Sequence, residues 1–153
     1  MEVLIRDTVL DDLDALEELE KECFSLPWTR EQLQSELPDE RHEFLAAELN
    51  DDVAGYVGMM CVLDEGYISN VAVSPRFRRQ GIGRALVAEM LHRAECRKLS
   101  FVTLEVREHN EGAIALYSEA GFVPVGRRKN YYERPKEDAI LMTLFFNKEE
   151  KER

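Results

Sequence analysis

The sequence predicts a single domain of the α/β or α+β class. Two kinds of apolar spacing, alternating and helical, follow one another along the chain, which is the pattern of strands and helices sharing one core. The chain has 153 residues and is 44% apolar, and a domain of that length can bury roughly 68–70% of its unfolded surface. No internal repeat and no linker composition interrupts it. Residues 1–147 therefore read as one domain, followed by a charged tail, 148–153, that is expected to fray.

The elements follow in order. Leu4–Arg6 is a short apolar strand. Thr8 and Asp11 read as a capping box, before a helix in which Leu13, Leu16, Cys23 and Phe24 repeat at roughly helical spacing. The stretch "FSLPWTREQLQSELP" turns at its proline and tryptophan. It opens a second helix with a Thr29–Gln32 capping box and ends it at Pro38. Phe44–Leu49 and Val53–Leu63 are strands joined by the turn Asn50-Asp51-Asp52. Gly66 is expected to break that run, leaving Tyr67–Val73 as a third strand. After Gly81, Ile82, Leu86, Met90 and Ala94 share one helix face. Phe101–Arg107 alternates, with Val102, Leu104 and Val106 on one side. Asn110–Ala120 is helical, with Ala113, Leu116, Tyr117 and Ala120 as its stripe and Gly121 as its cap. Phe122–Arg127 and Ala139–Phe146 close as strands.

Composition narrows the function classes. The net charge of −11 hides a split: residues 1–65 carry 19 acids and 4 bases, residues 66–153 carry 12 acids and 16 bases. That excludes a general nucleic-acid binder, which needs a broad basic face. It suggests one surface for an anion and another for a cationic partner. No stretch approaches the ~20 apolar residues of a membrane span. The opening "MEVLIRDTVLDD" has acids where a signal peptide carries lysines. Cys23, Cys61 and Cys96 are odd in number and widely spaced, against a disulfide framework or a CxxC site. A reduced cytoplasmic protein is expected. His42, His92 and His109 show no metal-ligand spacing, so no metal is expected.

The chemistry concentrates in "SPRFRRQGIGRALVAEML". A strand runs through four arginines (Arg76, Arg78, Arg79, Arg84) and two glycines (Gly81, Gly83) into a helix. The first turn of a helix presents unpaired N–H groups at the positive end of its dipole. Glycine lets a ligand approach that backbone closely. Together these describe an anion site suited to a phosphate or pyrophosphate. The stretch is not a P-loop, having no GxxxxGK[ST]. It is not a dinucleotide fingerprint either, because Leu86 stands where the third glycine belongs. On charge alone, a solvated basic loop would read the same.

Arg78-Arg79-Gln80-Gly81-Ile82-Gly83 resembles the R/Q-x-x-G-x-G/A signature of the GNAT acetyltransferases. "ISNVAVSP" and "LEVREHNEGAIALYSEAGF" are similar to that family's central strand and the strand–helix that follows. "FSLPWTREQL" and "RRKNYYERPKEDAILM" resemble, within it, the RimI-type ribosomal-protein-alanine N-acetyltransferases. The likeness covers roughly residues 3–145. It implies a GNAT fold: a mixed, mostly antiparallel central sheet flanked by helices, whose splayed central strands bind acetyl-CoA.

The resemblance also implies roles. The backbone N–H groups of Arg79 to Arg84, with Arg78, Arg79, Gln80, Gly81, Ile82, Gly83 and Arg84 as the loop, would hold the pyrophosphate. Val71, Ala72 and Val73 would pair with the pantetheine arm as an added strand and polarise the thioester carbonyl. Without it they are plain strand residues. Asn110 reads as a helix N-cap and by resemblance also bonds pantetheine. On pattern, Glu105 is either a solvent-facing glutamate paired with a neighbour such as Arg107 or a general base, since acids are depleted in strands. The resemblance assigns the base. Tyr117 reads as a core tyrosine, and the resemblance makes it the acid that protonates the departing thiolate. Tyr131 and Tyr132 read as an edge strand and by resemblance border a peptide groove. Trp28 packs in the core or lines that groove. No cysteine falls in the matched site blocks, so direct attack by the amine is expected.

The implied function is acetyl transfer from acetyl-CoA to the N-terminal alanine of a small-subunit ribosomal protein, a basic protein partner that suits the acidic first half. Another acceptor (a lysine side chain, other N-termini, a small amine) and a non-catalytic CoA-binding sensor stand beside it. No nucleic-acid or membrane partner is expected, and the sequence says nothing of oligomeric state.

Overall fold

The computed structural model describes residues 2–146. Its seven strands form one sheet in the order β1-β2-β3-β4-β5-β7-β6. They are β1 (Leu4–Asp7), β2 (His42–Leu49), β3 (Asp52–Val62), β4 (Glu65–Val73), β5 (Phe101–Arg107), β6 (Val123–Glu133) and β7 (Lys136–Phe145). All neighbours are antiparallel except β4 and β5. A parallel pair needs a long crossover, and the helix α3 (Ile82–Cys96) supplies it. The other helices are α1 (Leu13–Cys23), α2 (Arg30–Glu36) and α4 (Glu111–Ala120). The expected tail, 148–153, lies outside the described residues.

The helices cover both faces of the sheet. Leu13, Leu16, Leu19 and Leu33 of α1 and α2 pack on Phe44, Tyr56 and Ala72. Ile82, Leu86, Met90 and Ala94 of α3 pack with Leu45, Val57, Val102 and Leu104. Those four α3 residues are the ones that the helical spacing placed on one face. Leu16, Leu33 and Leu86 are fully buried, where truncation to alanine costs about 2–5 kcal/mol.

Local signals decided most boundaries. Thr29 and Gln32 form the reciprocal capping box that opens α2: the Thr29 hydroxyl accepts the Gln32 N–H, and the Gln32 side chain accepts the Thr29 N–H. Asn50 and Asp51 both adopt positive φ, closing the β2–β3 hairpin. Asn110 caps α4 by accepting from the Ala113 N–H at 3.1 Å.

Three expectations need correction. The first box is not Thr8–Asp11. Asp12 accepts from the Val9 N–H at 2.8 Å and is gripped by both terminal nitrogens of Arg6, a partner six residues upstream that outcompetes the local spacing. Gly66 does not break a strand: β4 begins at Glu65, and the turn falls on Leu63-Asp64. A Cβ at Gly66 would stand 2.9 Å from Leu99 and 3.0 Å from the Met59 sulfur, so this glycine permits close packing. The last hairpin also reaches further than its apolar residues suggested, to Glu133 and Lys136.

Candidate active site

β4 and β5 pair only over Glu65–Tyr67 against Phe101–Thr103. Beyond Tyr67 no ladder joins them among the described residues, so one backbone edge of each strand faces a gap. A bulge sits at the mouth of this gap, where the register slips between Gly58↔Asn70 and Met59↔Ile68. One extra residue exchanges the faces of a strand. Ile68 packs into the α3 side and Ala72, of the same parity, into the α1–α2 side.

The gap opens into a cavity of about 570 Å³. Cys23, Phe24, Ser25, Leu26 and Trp28, on and after the end of α1, form one wall. Tyr131, Tyr132 and Glu133 of β6 form another part of the lining, with Ser69 and Val71 of β4 and Glu105 of β5. Because the strands diverge, Asn110, Ala113 and Tyr117 reach the same cavity from α4. The buried Glu20 braces the first wall: its carboxylate accepts the Trp28 N–H at 2.7 Å and the Tyr56 hydroxyl. Trp28 thus both lines the cavity and packs on the α1–α2 cluster.

Glu105 points away from Val102, Leu104 and Val106, as the alternation required, and its side chain is only 6% exposed. It does not pair with Arg107. Arg107 is held by Glu137 and by the carbonyls of Arg134 and Pro135, with its guanidinium over the Tyr132 ring. Oε1 of Glu105 accepts from the Tyr67 and Tyr131 hydroxyls, and Oε2 pairs with Arg128. Tyr117 is buried, edge-on to Phe122. That burial pushes its phenol well above the ordinary tyrosine range, with the Tyr132 phenolate charge as a smaller cause. Burial, and then the Glu105 charge, pushes Tyr132 up to about 12. Tyr117 and Tyr132 therefore hold their protons at neutral pH.

The predicted anion loop lies outside this cavity, at the end of β4. Gly81 (φ +77°) is the N-cap of α3, and a Cβ there would meet nothing within 4 Å, so the approach is open. The first intrahelical bond runs from the Ala85 N–H to the Gly81 carbonyl. The N–H groups ahead of it point out of the helix. The side chains are less uniform than their charges suggested. Arg84 pairs with Glu119 at 2.6 Å, and Arg78 folds back onto the Val73 carbonyl at 3.1 Å. Glu105, Tyr117, Asn110 and Val71 are brought into one cavity. Ala72 is buried beneath it, and Val73 and Arg78–Arg84 continue along the open edge.

Several residues that gather on Glu105 or line the cavity had no signal in the sequence. Tyr67 reaches Glu105 across 38 positions, and Arg128 arrives from another strand. Cys23 also lines the cavity. Its thiol lies 3.4 Å from the Val73 carbonyl, and burial pushes it up, against the pull of Arg78, so it stays a thiol rather than a nucleophilic thiolate. His109 lies beside the site with its side chain on the surface, 3.1 Å from Glu137. Glu36, Asp39 and His42 cluster elsewhere, with His42 Nε2 at 2.9 Å from Glu36 and Asp39 clasped by Arg41.

A protein built this way suits group transfer: a long donor with an anionic end can lie along the open strand edge, its reacting end beside a carboxylate and a phenol. The matches agree. The Acetyltransferase (GNAT) family model matches residues 13–122, and the chain belongs to that family. The [ribosomal protein bS18]-alanine N-acetyltransferase of Escherichia coli is 37% identical over 135 residues, covering 87% of this chain and 90% of that protein. The crystal structure of the Escherichia coli ribosomal-protein-S18-alanine N-acetyltransferase superposes with a TM-score of 0.87 at 35% identity, over 94% of both chains. Arabidopsis thaliana NAA60, solved with acetyl-CoA, shares the fold with a TM-score of 0.88 at 23% identity, over 95% of this chain and 99% of its own. Among the described residues no helix is long and apolar enough to cross a membrane.

Proposed function

We infer that this protein transfers the acetyl group of acetyl-CoA to the N-terminal alanine of ribosomal protein bS18, or of its counterpart, in the cytoplasm. The observation that carries the reading is the meeting of Glu105 and Tyr117 in one cavity at the gap between β4 and β5. The bS18-directed relatives support the choice of acceptor. Acetyl-CoA supplies the acetyl group as a thioester. Its fit rests on the unpaired edge of β4 and the open, glycine-capped start of α3.

The residues divide the work. The N–H groups at the start of α3 and the loop Arg78–Arg84 hold the pyrophosphate. Val71, Ala72 and Val73 present strand edge to the pantetheine arm, with Asn110 at its far side. A peptide α-amine has a pKa of about 7.7–8.0 and arrives mostly protonated at pH 7. Glu105 takes that proton, directly or through a water, and the neutral amine attacks. Tyr117 returns a proton to the departing sulfur, whose thiol pKa is ~8.5. Nothing in this sequence of steps needs Cys23 or a metal.

The test is mass spectrometry of mixed peptides with acetyl-CoA: alanine-, serine- and methionine-initiated, plus an N-blocked peptide with a free lysine. Selective acetylation of the alanine terminus is expected, and Glu105→Gln should reduce it about 10²-fold or more. Acetylation of lysine would overturn the acceptor. Full activity in the variant would overturn the base.

A further inference from the structure

Arg128 sits on the carboxylate that the reaction uses. Glu105 is nearly enclosed, whereas the Arg128 side chain is 56% exposed. The two are joined through Arg128 Nε and Glu105 Oε2, while Oε1 is occupied by the hydroxyls of Tyr67 and Tyr131. A buried carboxylate needs a counter-charge, and in this structure Arg128 is that charge.

The peptide brings another cation. Its α-ammonium gives up its proton toward the same carboxylate, and two cations crowded at one carboxylate repel. One must leave, and the backbone indicates which. Arg128 lies on the outermost strand, where β6 slips against β7. Arg128 pairs with Ala139 and Tyr132 with Glu137, so residues 129–131 bulge opposite Asp138 alone. Asn130 takes positive φ at that bulge. Neighbouring arginines are tied more firmly: Arg107 by three acceptors and a ring, Arg127 by Glu108 and Asp138. Arg128 has Glu105 and, 5.9 Å from its guanidinium, the Tyr131 ring.

We propose that Arg128 is an exchangeable counter-ion: it neutralises Glu105 in the empty site, and the α-ammonium of the incoming peptide takes its place. The proposal rests on Glu105 as the base. The exchange keeps the cavity electrically balanced before and after binding. It also frees the carboxylate from a guanidinium only when an amine is present to be deprotonated. Arg128 is thus a positioning residue, acting on substrate through Glu105.

The experiment is calorimetry of an alanine-initiated peptide binding to the CoA-loaded protein, where no acetyl group is available to turn over. Arg128→Gln removes the competitor, so the peptide should bind about threefold tighter or more. Arg128→Lys should return binding toward the wild type. An N-blocked peptide should show no gain, and in a Glu105→Gln background the effect of Arg128→Gln should vanish. Unchanged or weaker binding in Arg128→Gln, or a gain that persists without Glu105, would overturn the exchange. Steady-state kinetics separate the underlying reading: a Glu105→Gln enzyme with undiminished kcat removes the base role, whatever Arg128 does in the binding experiment.

Discussion

Tyr117 can act as an acid only while it holds its proton, and burial secures that. The raised pKa keeps the phenol neutral through the physiological range and above it, so ionisation of Tyr117 does not limit the reaction on the alkaline side until well past pH ~10. Tyr117→Phe keeps the ring and its edge contact with Phe122 and deletes only the hydroxyl. We expect kcat to fall about 10²-fold, with the KM of peptide and acetyl-CoA little changed, measured as thiol release under steady state. An undiminished kcat would leave Tyr117 a packing residue. Glu105 was readable in the sequence because an acid opposite three alternating apolar residues has a definite face. Its retinue was not. Tyr67, Arg128 and Tyr131 come from two other strands, and sequence separation of this size leaves no periodic trace.

Short elements were settled by their caps, and there local and tertiary chemistry compete. At Thr29 they agree, and the box stands as spaced. At the start of α1 Asp12 wins, because Arg6 offers it two hydrogen bonds at 2.8 and 2.9 Å. The Arg6 hydrogen bonds are the largest reason its carboxyl is held below the usual range, followed by a burial cost that they and the Val9 N–H outweigh. A depressed folded pKa stabilises above the unfolded value of ~3.9, and the contribution is lost as pH falls through the folded one. Asp12→Asn should therefore destabilise the protein by about 2 kcal/mol at pH 7, below the 3–5 kcal/mol of a fully buried pair because Arg6 keeps some water contact. The deficit should shrink as pH drops under about 4. Denaturant titrations at pH 7 and pH 3 measure it, and an equal deficit at both would sink the argument.

Over the whole molecule, the charge split seen in the sequence becomes a division of surfaces. The acidic first half forms α1, α2 and the cavity wall between them, and the basic loop opens α3. If the acidic half attracts a basic peptide, its KM should rise about threefold or more between ~0.05 and ~0.3 M salt, while an uncharged peptide stays flat. Equal responses would show that the acids serve solubility alone. The split was legible because charge can be counted. That residues 23–28 would close the cavity was hinted at only by the proline–tryptophan turn, since a wall is made by packing at a distance. The break between β4 and β5 has one more consequence. An unpaired strand margin normally invites a foreign chain and aggregation. Here the hydrogen-bonding margin meant for a ligand is an inner slit, flanked by the two strands of its own sheet rather than lying at the sheet's rim. The true outer margins are blunted, β1 by having four residues and β6 by its bulge and its run of Arg127, Arg128 and Lys129. The molecule can thus offer main-chain hydrogen bonds to a small, extended guest without becoming a template for fibres.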